Sequence, residues 1–270
     1  LDSLHASISE ALASGDLTTL GTIIGNNPEA LAAAIAAPVG VEKTPVYPVA
    51  NFGSQMAPLY TILALWVGSI LMVVSLRSDV TDSNVAEGLP EGDSLRVTLT
   101  AKPVGLAAGY LGRYLIFGTI ALAQATVVGL GDLYFLKVQH AHPLQFMGTL
   151  WLTAVVFSFL LYTLIATFGN AGKALGVLLL VLQISGAGGA FPLAILPSFF
   201  SSISPFLPAT HAITALRASI AGYAGHEYAD AMWFLASFIL FAAFLGLALR
   251  PLLVRNNRRM AEKLEATKLL

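Results

Sequence analysis

The chain has 270 residues, of which 56% are hydrophobic and 11% are charged, whereas about 25% of residues are charged in an ordinary soluble domain. The net charge of −1 argues against a bulk attraction to nucleic acid. The lack of cysteine excludes disulfides, thiolate catalysis and cysteine-ligated metal sites. This composition predicts an all-α membrane protein that crosses the bilayer several times.

Residues 1–49 are expected to be the end of an extracellular helical domain. Leu4, Ile8 and Leu12 share one helical face, and an Asn-Pro-Glu triplet at 27–29 is typical of a helix start. The sequence begins without an initiator Met, a basic leader or a cleavage site. We therefore expect it to be part of a longer protein with one more span upstream, six in all.

The clearest predicted span is 56–76, whose 21 residues carry no charge and can cross a hydrocarbon core of roughly 30 Å. We expect the rest of the chain to be arranged around this helix. Four further apolar runs predict spans at about 104–130, 146–168, 174–190 and 232–249. No Asp or Glu falls within any of these five predicted spans.

The polar loop 78–103 follows the first span and is expected in the cytoplasm. It is interpreted either as a solvated loop or as a docking element for a cytoplasmic partner. The candidate docking residues in and beside it are Arg77, Glu87, Glu91, Arg96 and Lys102.

The segment 191–225 is strongly apolar but contains Pro192, Pro197, Pro205 and Pro208, so one continuous helix is excluded. It is predicted to form short helices that enter the outer leaflet and return. Backbone that is broken at membrane depth has to be buried in protein or line a watery cavity. The segment is therefore a candidate rim or plug of a pathway.

Six residues are candidates for the pathway or for close packing. Small residues near the end of the fourth predicted span favour a close helix approach or an unwound helix end. An arginine near the start of the second span is expected to reach the headgroups, pair with a neighbouring helix, or contact substrate or lipid. The six candidates are Arg113, Gly186, Gly188, Gly189, His211 and Arg217.

Arg217 is the most specific of these candidates, because a charge within an apolar run usually has a defined partner. The nearest carboxylates in sequence are Glu227 and Asp230. Either a structural ion pair or a role in a pathway fits this pattern. His140 and His142 lie two residues apart without a third ligand, as is typical of surface residues, so no metal site is predicted.

Basic residues define the expected orientation. With the C-terminus in the cytoplasm, 11 of the 14 Lys and Arg lie inside and three, Lys43, Lys137 and Arg217, lie outside. The basic tail 256–270 would then be held at the anionic inner leaflet. The N-terminal end of the sequence is accordingly expected outside.

A resemblance to a known family rests on three runs: PVYPVANFGSQMAPLYTILALWVG, GRYLIFG and SGAGGAFPLAILPSFFSSISPFLPATHAITALR. They resemble the C-terminal membrane portion of the YhgE/Pip (phage infection protein) family, which includes EsaA-like components of type VII secretion. That portion is similar to the permease fold of type-2 ABC exporters. The resemblance implies a permease-like transmembrane domain at 50–255 in a bacterial plasma membrane. It also implies that 78–103 is a coupling loop for an ATPase subunit and that the permease pairs as a homodimer or heterodimer.

The expected function is that of a permease-like component of an export or secretion system, with a substrate that the sequence does not identify. The sequence has no Walker motif, so a separate ATPase or secretion machinery would supply the energy. The alternative is a non-transporting cell-surface receptor or scaffold that the spans anchor. An intramembrane enzyme is disfavoured, because paired carboxylates are missing from the predicted spans. No cofactor or catalytic residue is predicted.

Overall fold

The computed structural model describes residues 46–76 and 106–249. All of them except Val46 belong to one compact unit, Tyr47–Leu270. The regular elements of these residues are all helical, as predicted. The loop 78–103, with its candidate docking residues, lies outside the described residues, as do the tail and nearly all of the predicted extracellular domain.

Seven α-helices follow one another in the described residues. They are α1 (Phe52–Ser75), α2 (Leu106–Leu130), α3 (Pro143–Phe168), α4 (Asn170–Gly186), α5 (Ser198–Ile203), α6 (Pro208–Ala221) and α7 (Glu227–Phe244). A π-helical turn, Gly131–Phe135, continues α2, and another, Leu245–Leu249, continues α7. Short 3-10 turns, Leu193–Ile195 and Ser204–Phe206, flank α5.

Local chemistry explains where the helices begin and turn. The extended Asn51 caps α1, because its side-chain Oδ1 accepts a hydrogen bond from the Ser54 amide at 2.8 Å. Pro143 occupies the first position of α3, where its missing N–H costs nothing. Gly169 joins α3 to α4 with a positive φ of 60°, a conformation that side chains other than glycine rarely adopt.

Four helices are long and apolar enough to cross a membrane: Phe52–Ser75, Ala107–Phe135, Pro143–Phe168 and Glu227–Ala248. They correspond to four of the five predicted spans. The second span is longer than predicted, because the π-helical turn carries it five residues further, to Phe135.

The predicted span 174–190 is a helix of the same length that begins and ends four residues earlier than expected. It corresponds to α4, which has 17 residues and a length of about 25 Å at 1.5 Å per residue. The glycine-rich run after Gly186 does not continue the helix, and Gly188 adopts a positive φ of 66°. By length, four helices of the described residues can cross a membrane unaided, and the fifth predicted span is not confirmed.

The central helix is α3, and the expectation that the chain is arranged around α1 was wrong. Buried residues make up 78% of the most apolar stretch of α3, against 50% for α1, 28% for α2 and 22% for α7. The helices α1, α2, α4, α6 and α7 all pack against it.

The buried face of α3 carries hydroxyl groups, and those of Thr149, Thr153 and Thr163 donate to main-chain carbonyls one turn back. These bonds satisfy the hydroxyls within the helix, which allows its close packing.

A tryptophan on α1 joins three helices in the core. The Trp66 ring packs edge-on against Phe157 of α3, with centroids 4.7 Å apart and an interplanar angle of 77°. Its indole N–H donates to the carbonyl oxygen of Gly176 on α4 at 3.3 Å. The large ring therefore fills the space between α1, α3 and α4 while its polar atom is satisfied.

The two short helices α4 and α6 lie beside different halves of α3. The amide of Ala209, at the start of α6, donates to the Gln183 side chain in the last turn of α4 at 3.0 Å. At the other end of α6, the Ser219 carbonyl accepts from the amides of Ala141 and His142, just before α3. So α4 accompanies the C-terminal half of α3, and α6 accompanies the N-terminal half.

Candidate functional site

Several helix ends meet at one end of the molecule, which we call the head end. They are the beginnings of α1, α3 and α7 and the end of α2. The amide of Gln139, after α2, donates to Ser54 Oγ on α1 at 2.9 Å. The Tyr228 hydroxyl of α7 donates to the Gln145 carbonyl of α3 at 3.1 Å. Two cavities open here, and Ser54 lines both of them.

The first cavity, which we call the Arg217 cavity, has a volume of about 310 Å³. It is bordered by the start of α1, by α6 and by the start of α7. Its polar lining residues are Tyr47, Ser54, Gln55, Thr214, Arg217 and Glu227.

Arg217 extends from α6 to the chain just beyond α4. Its Nη2 donates to the carbonyl oxygen of Gly189 at 2.8 Å. The predicted ion pair was wrong: among the described residues, Arg217 pairs with neither Glu227 nor Asp230, although Glu227 lines the same cavity. A carbonyl past the end of a helix receives no hydrogen bond from within that helix. Here the Arg217 guanidinium donates one to it from α6.

The three candidate glycines lie where the chain leaves α4. A Cβ atom on Gly189 would be 2.6 Å from Leu59 Cδ1 on α1 and 3.0 Å from Ile213 Cδ1 on α6. A Cβ atom on Gly186 would be 2.8 Å from Leu207 Cδ1. The main chain therefore approaches α1 and α6 more closely than any larger residue allows.

His211 and Arg113 are not part of the Arg217 cavity. The His211 ring stacks on Phe234 of α7 at a centroid distance of 5.2 Å, and its Nε2 lies 2.9 Å from the Pro205 carbonyl oxygen. Arg113 is on α2, with its guanidinium carbon 5.9 Å from the ring centroid of Phe117, within the range of a cation–π contact. Sequence reasoning grouped these residues with Arg217, but of the three only Arg217 lines this cavity.

The second cavity, which we call the Asp132 cavity, has a volume of about 420 Å³. It lies between the first half of α1 and the end of α2. Asp132 is 6% exposed and lies in the π-helical turn that ends α2. The hydroxyl of Thr61, on α1, donates to Asp132 Oδ2 at 2.6 Å. Single π-helical turns within α-helices are frequent at functional sites.

Sequence reasoning missed Asp132, because it was taken to follow the second span. The predicted spans contain no acidic residue, but the observed spans have other bounds: Ala107–Phe135 includes Asp132, and Glu227–Ala248 has two acidic residues in its first turn. A signal was present: Asp132 is the only acidic residue between Asp93 and Glu227, and apolar residues resume directly after it.

The two histidines in the loop before α3 contact other groups of the protein. His140 Nδ1 lies 2.9 Å from the Val138 carbonyl oxygen, and the His142 ring packs against Tyr223. Within the part of the chain that the structure describes, no group of three or more His, Asp or Glu could hold a metal ion.

Four apolar helices of spanning length and a broken α4–α6 stretch define a multi-pass membrane protein. The family model described as "ABC-2 family transporter protein" matches residues 2–249. The chain belongs to this family, and it is therefore a membrane component of transporter type.

Comparison with curated proteins supports the resemblance seen in the sequence. The chain is similar to "Uncharacterized protein YhgE" of Bacillus subtilis (strain 168), with 26% identity over 215 residues. The match covers 79% of this chain and 25% of that protein, so the chain spans about a quarter of the length of this relative. The predicted YhgE/Pip-like, ABC-2 permease family is thereby confirmed. No solved structure matches the chain.

Proposed function

We propose that the chain is the permease of an export or secretion system, in which a separate ATPase drives the passage of a substrate across the membrane. Family membership and the four spanning helices support a membrane transporter component. The sequence contains no GxxxxGK[ST] motif, so ATP hydrolysis is assigned to a partner.

The observation that carries this proposal is the broken α4–α6 stretch beside the Arg217 cavity. Non-helical backbone in a bilayer needs protein or water around it, and here the chain leaves α4, packs against α1 and continues in α6 toward the head end. The hydrogen bond from Arg217 to Gly189 holds this stretch against α6. Movement of the stretch relative to α1 would open or close a pathway at the head end.

The remaining features of the proposal follow from the sequence. The head end faces the outside and the loop 78–103 faces the cytoplasm, where it contacts the ATPase. Two permease subunits, identical or related, enclose the pathway between them. Type VII secretion components are candidate partners, through the resemblance to EsaA-like proteins.

Co-purification tests the ATPase assignment. The full-length protein is isolated from native membranes after mild crosslinking, and an ATPase subunit is expected in the complex. The double variant Arg96→Glu/Lys102→Glu should lose that subunit, whereas Lys173→Glu, which alters a cation outside the proposed docking loop, should retain it. A complex without an ATPase, or one that the double variant leaves intact, contradicts the proposal.

Replacing the spans separates the permease from the receptor or scaffold alternative. If an unrelated membrane anchor supports full activity of the protein, the spans serve only as an anchor and the permease proposal fails. Cysteines introduced at positions 43 and 257 test the orientation. They should react with impermeant reagents from opposite faces of the membrane, and labelling from one face would overturn the topology.

A further inference from the structure

Asp132 is a buried carboxylate with one hydrogen-bond partner. It is 6% exposed, and Thr61 donates to only one of its two oxygens, Oδ2. Among the described residues, no Lys, Arg or His forms an ion pair with it. A buried carboxylate without a cation is unfavourable, and ionisable residues within spans usually mark functional sites.

The space next to Asp132 is larger than an ion requires and is mainly apolar. The Asp132 cavity has a volume of about 420 Å³, which is in the range of small-molecule pockets, about 300–1,000 Å³. Its wall includes Phe52, Tyr60, Met56 and Val128. Phe52 and Tyr60 are exposed, so the cavity opens at the surface of the helix bundle while Asp132 lies at its buried side.

This lining also distinguishes between classes of cation. A divalent metal ion prefers six or more oxygen ligands, and within the described residues no acidic or histidine cluster supplements Asp132. An organic cation needs one counter-charge, apolar walls and aromatic rings near its charge. The cavity has the counter-charge and the apolar walls, and the rings of Phe52 and Tyr60 form part of its wall.

We propose that the Asp132 cavity binds a hydrophobic organic cation, with Asp132 as its counter-ion and Thr61 fixing the carboxylate. The α1 and α2 walls contact the apolar body of the ligand. This site is separate from the Arg217 cavity, and its occupancy can be measured without any transport. The proposal therefore does not depend on the permease function.

The first test measures binding of tetraphenylphosphonium, a permanently charged probe, to the full-length protein in lipid nanodiscs, with empty nanodiscs as the background. Binding to the Asp132→Asn variant should weaken by about 30-fold or more, the usual effect of removing one partner of a buried charge pair. The matched control is Asp230→Asn, which removes an exposed carboxylate at the head end and should leave binding unchanged. Tetraphenylborate, with the same shape and the opposite charge, should not compete.

The second test keeps Asp132 and so does not depend on the folding of its variant. The sequence contains no cysteine, so Ala57→Cys introduces a single thiol in this region, on the cavity wall. A cationic methanethiosulfonate reagent should modify it faster than an anionic one, and tetraphenylphosphonium should slow the modification.

The two tests have clear negative outcomes. Equal binding by wild type and Asp132→Asn would remove the counter-ion role and overturn the proposal. Equal modification rates for the two reagents, with no protection by the probe, would do the same. Loss of binding in both Asp132→Asn and Asp230→Asn would indicate a general surface charge effect and would also reject the site.

Discussion

Arg217 and Gly189 are 28 residues apart in the sequence and joined by a hydrogen bond of 2.8 Å from the guanidinium Nη2 to the carbonyl oxygen. This bond connects α6 to the chain just beyond α4. It brings together two residues that the sequence singled out for different reasons, one for its charge and one for its size. The backbone of a glycine, rather than a carboxylate, is the partner of the charge.

Arg217→Ala should release the chain beyond α4. The hydrogen bond of a charged group is worth about 1.5–3 kcal/mol, so hydrogen exchange at residues 187–190 should become faster and the proposed transport should decrease. Thr214→Ala is the control, because Thr214 lines the same cavity but its hydroxyl bonds only to the Thr210 carbonyl one turn back. Unchanged exchange in Arg217→Ala would show that the guanidinium does not anchor this segment.

Gly189→Ala should destabilise the protein by about 1–3 kcal/mol, the usual cost of overpacking. The added methyl group would lie 2.6 Å from Leu59 Cδ1. Thermal unfolding of the purified protein measures the effect, with Gly148→Ala as control, since its nearest atom would be 3.9 Å away. In a Leu59→Ala background the same change should cost less, and equal costs in both backgrounds would exclude the clash.

Trp66→Ala should lower stability by about 3–5 kcal/mol, because it leaves a cavity between three helices. The matched change Trp233→Ala should have little effect, since Trp233 on α7 is 77% exposed whereas Trp66 is 1% exposed. Thermal unfolding of both variants in the same nanodiscs provides the comparison. Similar losses would mean that the α1–α3–α4 contact is not the main source of stability in this region.

Gln139→Leu should loosen the chain before α1 without changing global stability. The Gln139 side chain accepts a hydrogen bond from the Ala50 amide at 2.6 Å and donates to the Pro48 carbonyl at 2.9 Å. Hydrogen exchange at Ala50 should therefore become faster, whereas exchange in α3 should not change. His140→Leu alters the next residue and should leave the Ala50 amide protected; a faster rate there would assign the protection to the loop as a whole.

Some features of the α4–α6 region followed from residue types. Four prolines excluded one continuous helix in 191–225, and the structure has short helices there. The glycine-rich run predicted close packing or an unwound helix end. The partner of Arg217 was not predictable in this way, because any carbonyl that the fold brings near serves as an acceptor.

The importance of α3 and Asp132 was not recognised from the sequence. Apolar helices have similar compositions whether they face lipid or other helices. The composition of α3 therefore did not show how many helices pack around it. Asp132 appeared to end a span, but the π-helical turn keeps it within the helix and brings it to Thr61, 71 residues away in the sequence.

The sequence by itself determined that this is a helical, multi-pass membrane protein, because span length and the absence of charge are local properties that the bilayer requires of any crossing helix. Its permease type came from the family resemblance of three sequence runs. Only the tertiary structure decided which helix lies at the centre, where α4 stops, and which groups meet Arg217 and Asp132. Those outcomes depend on contacts between residues far apart in the chain, and the residue pattern of a single segment does not specify such contacts.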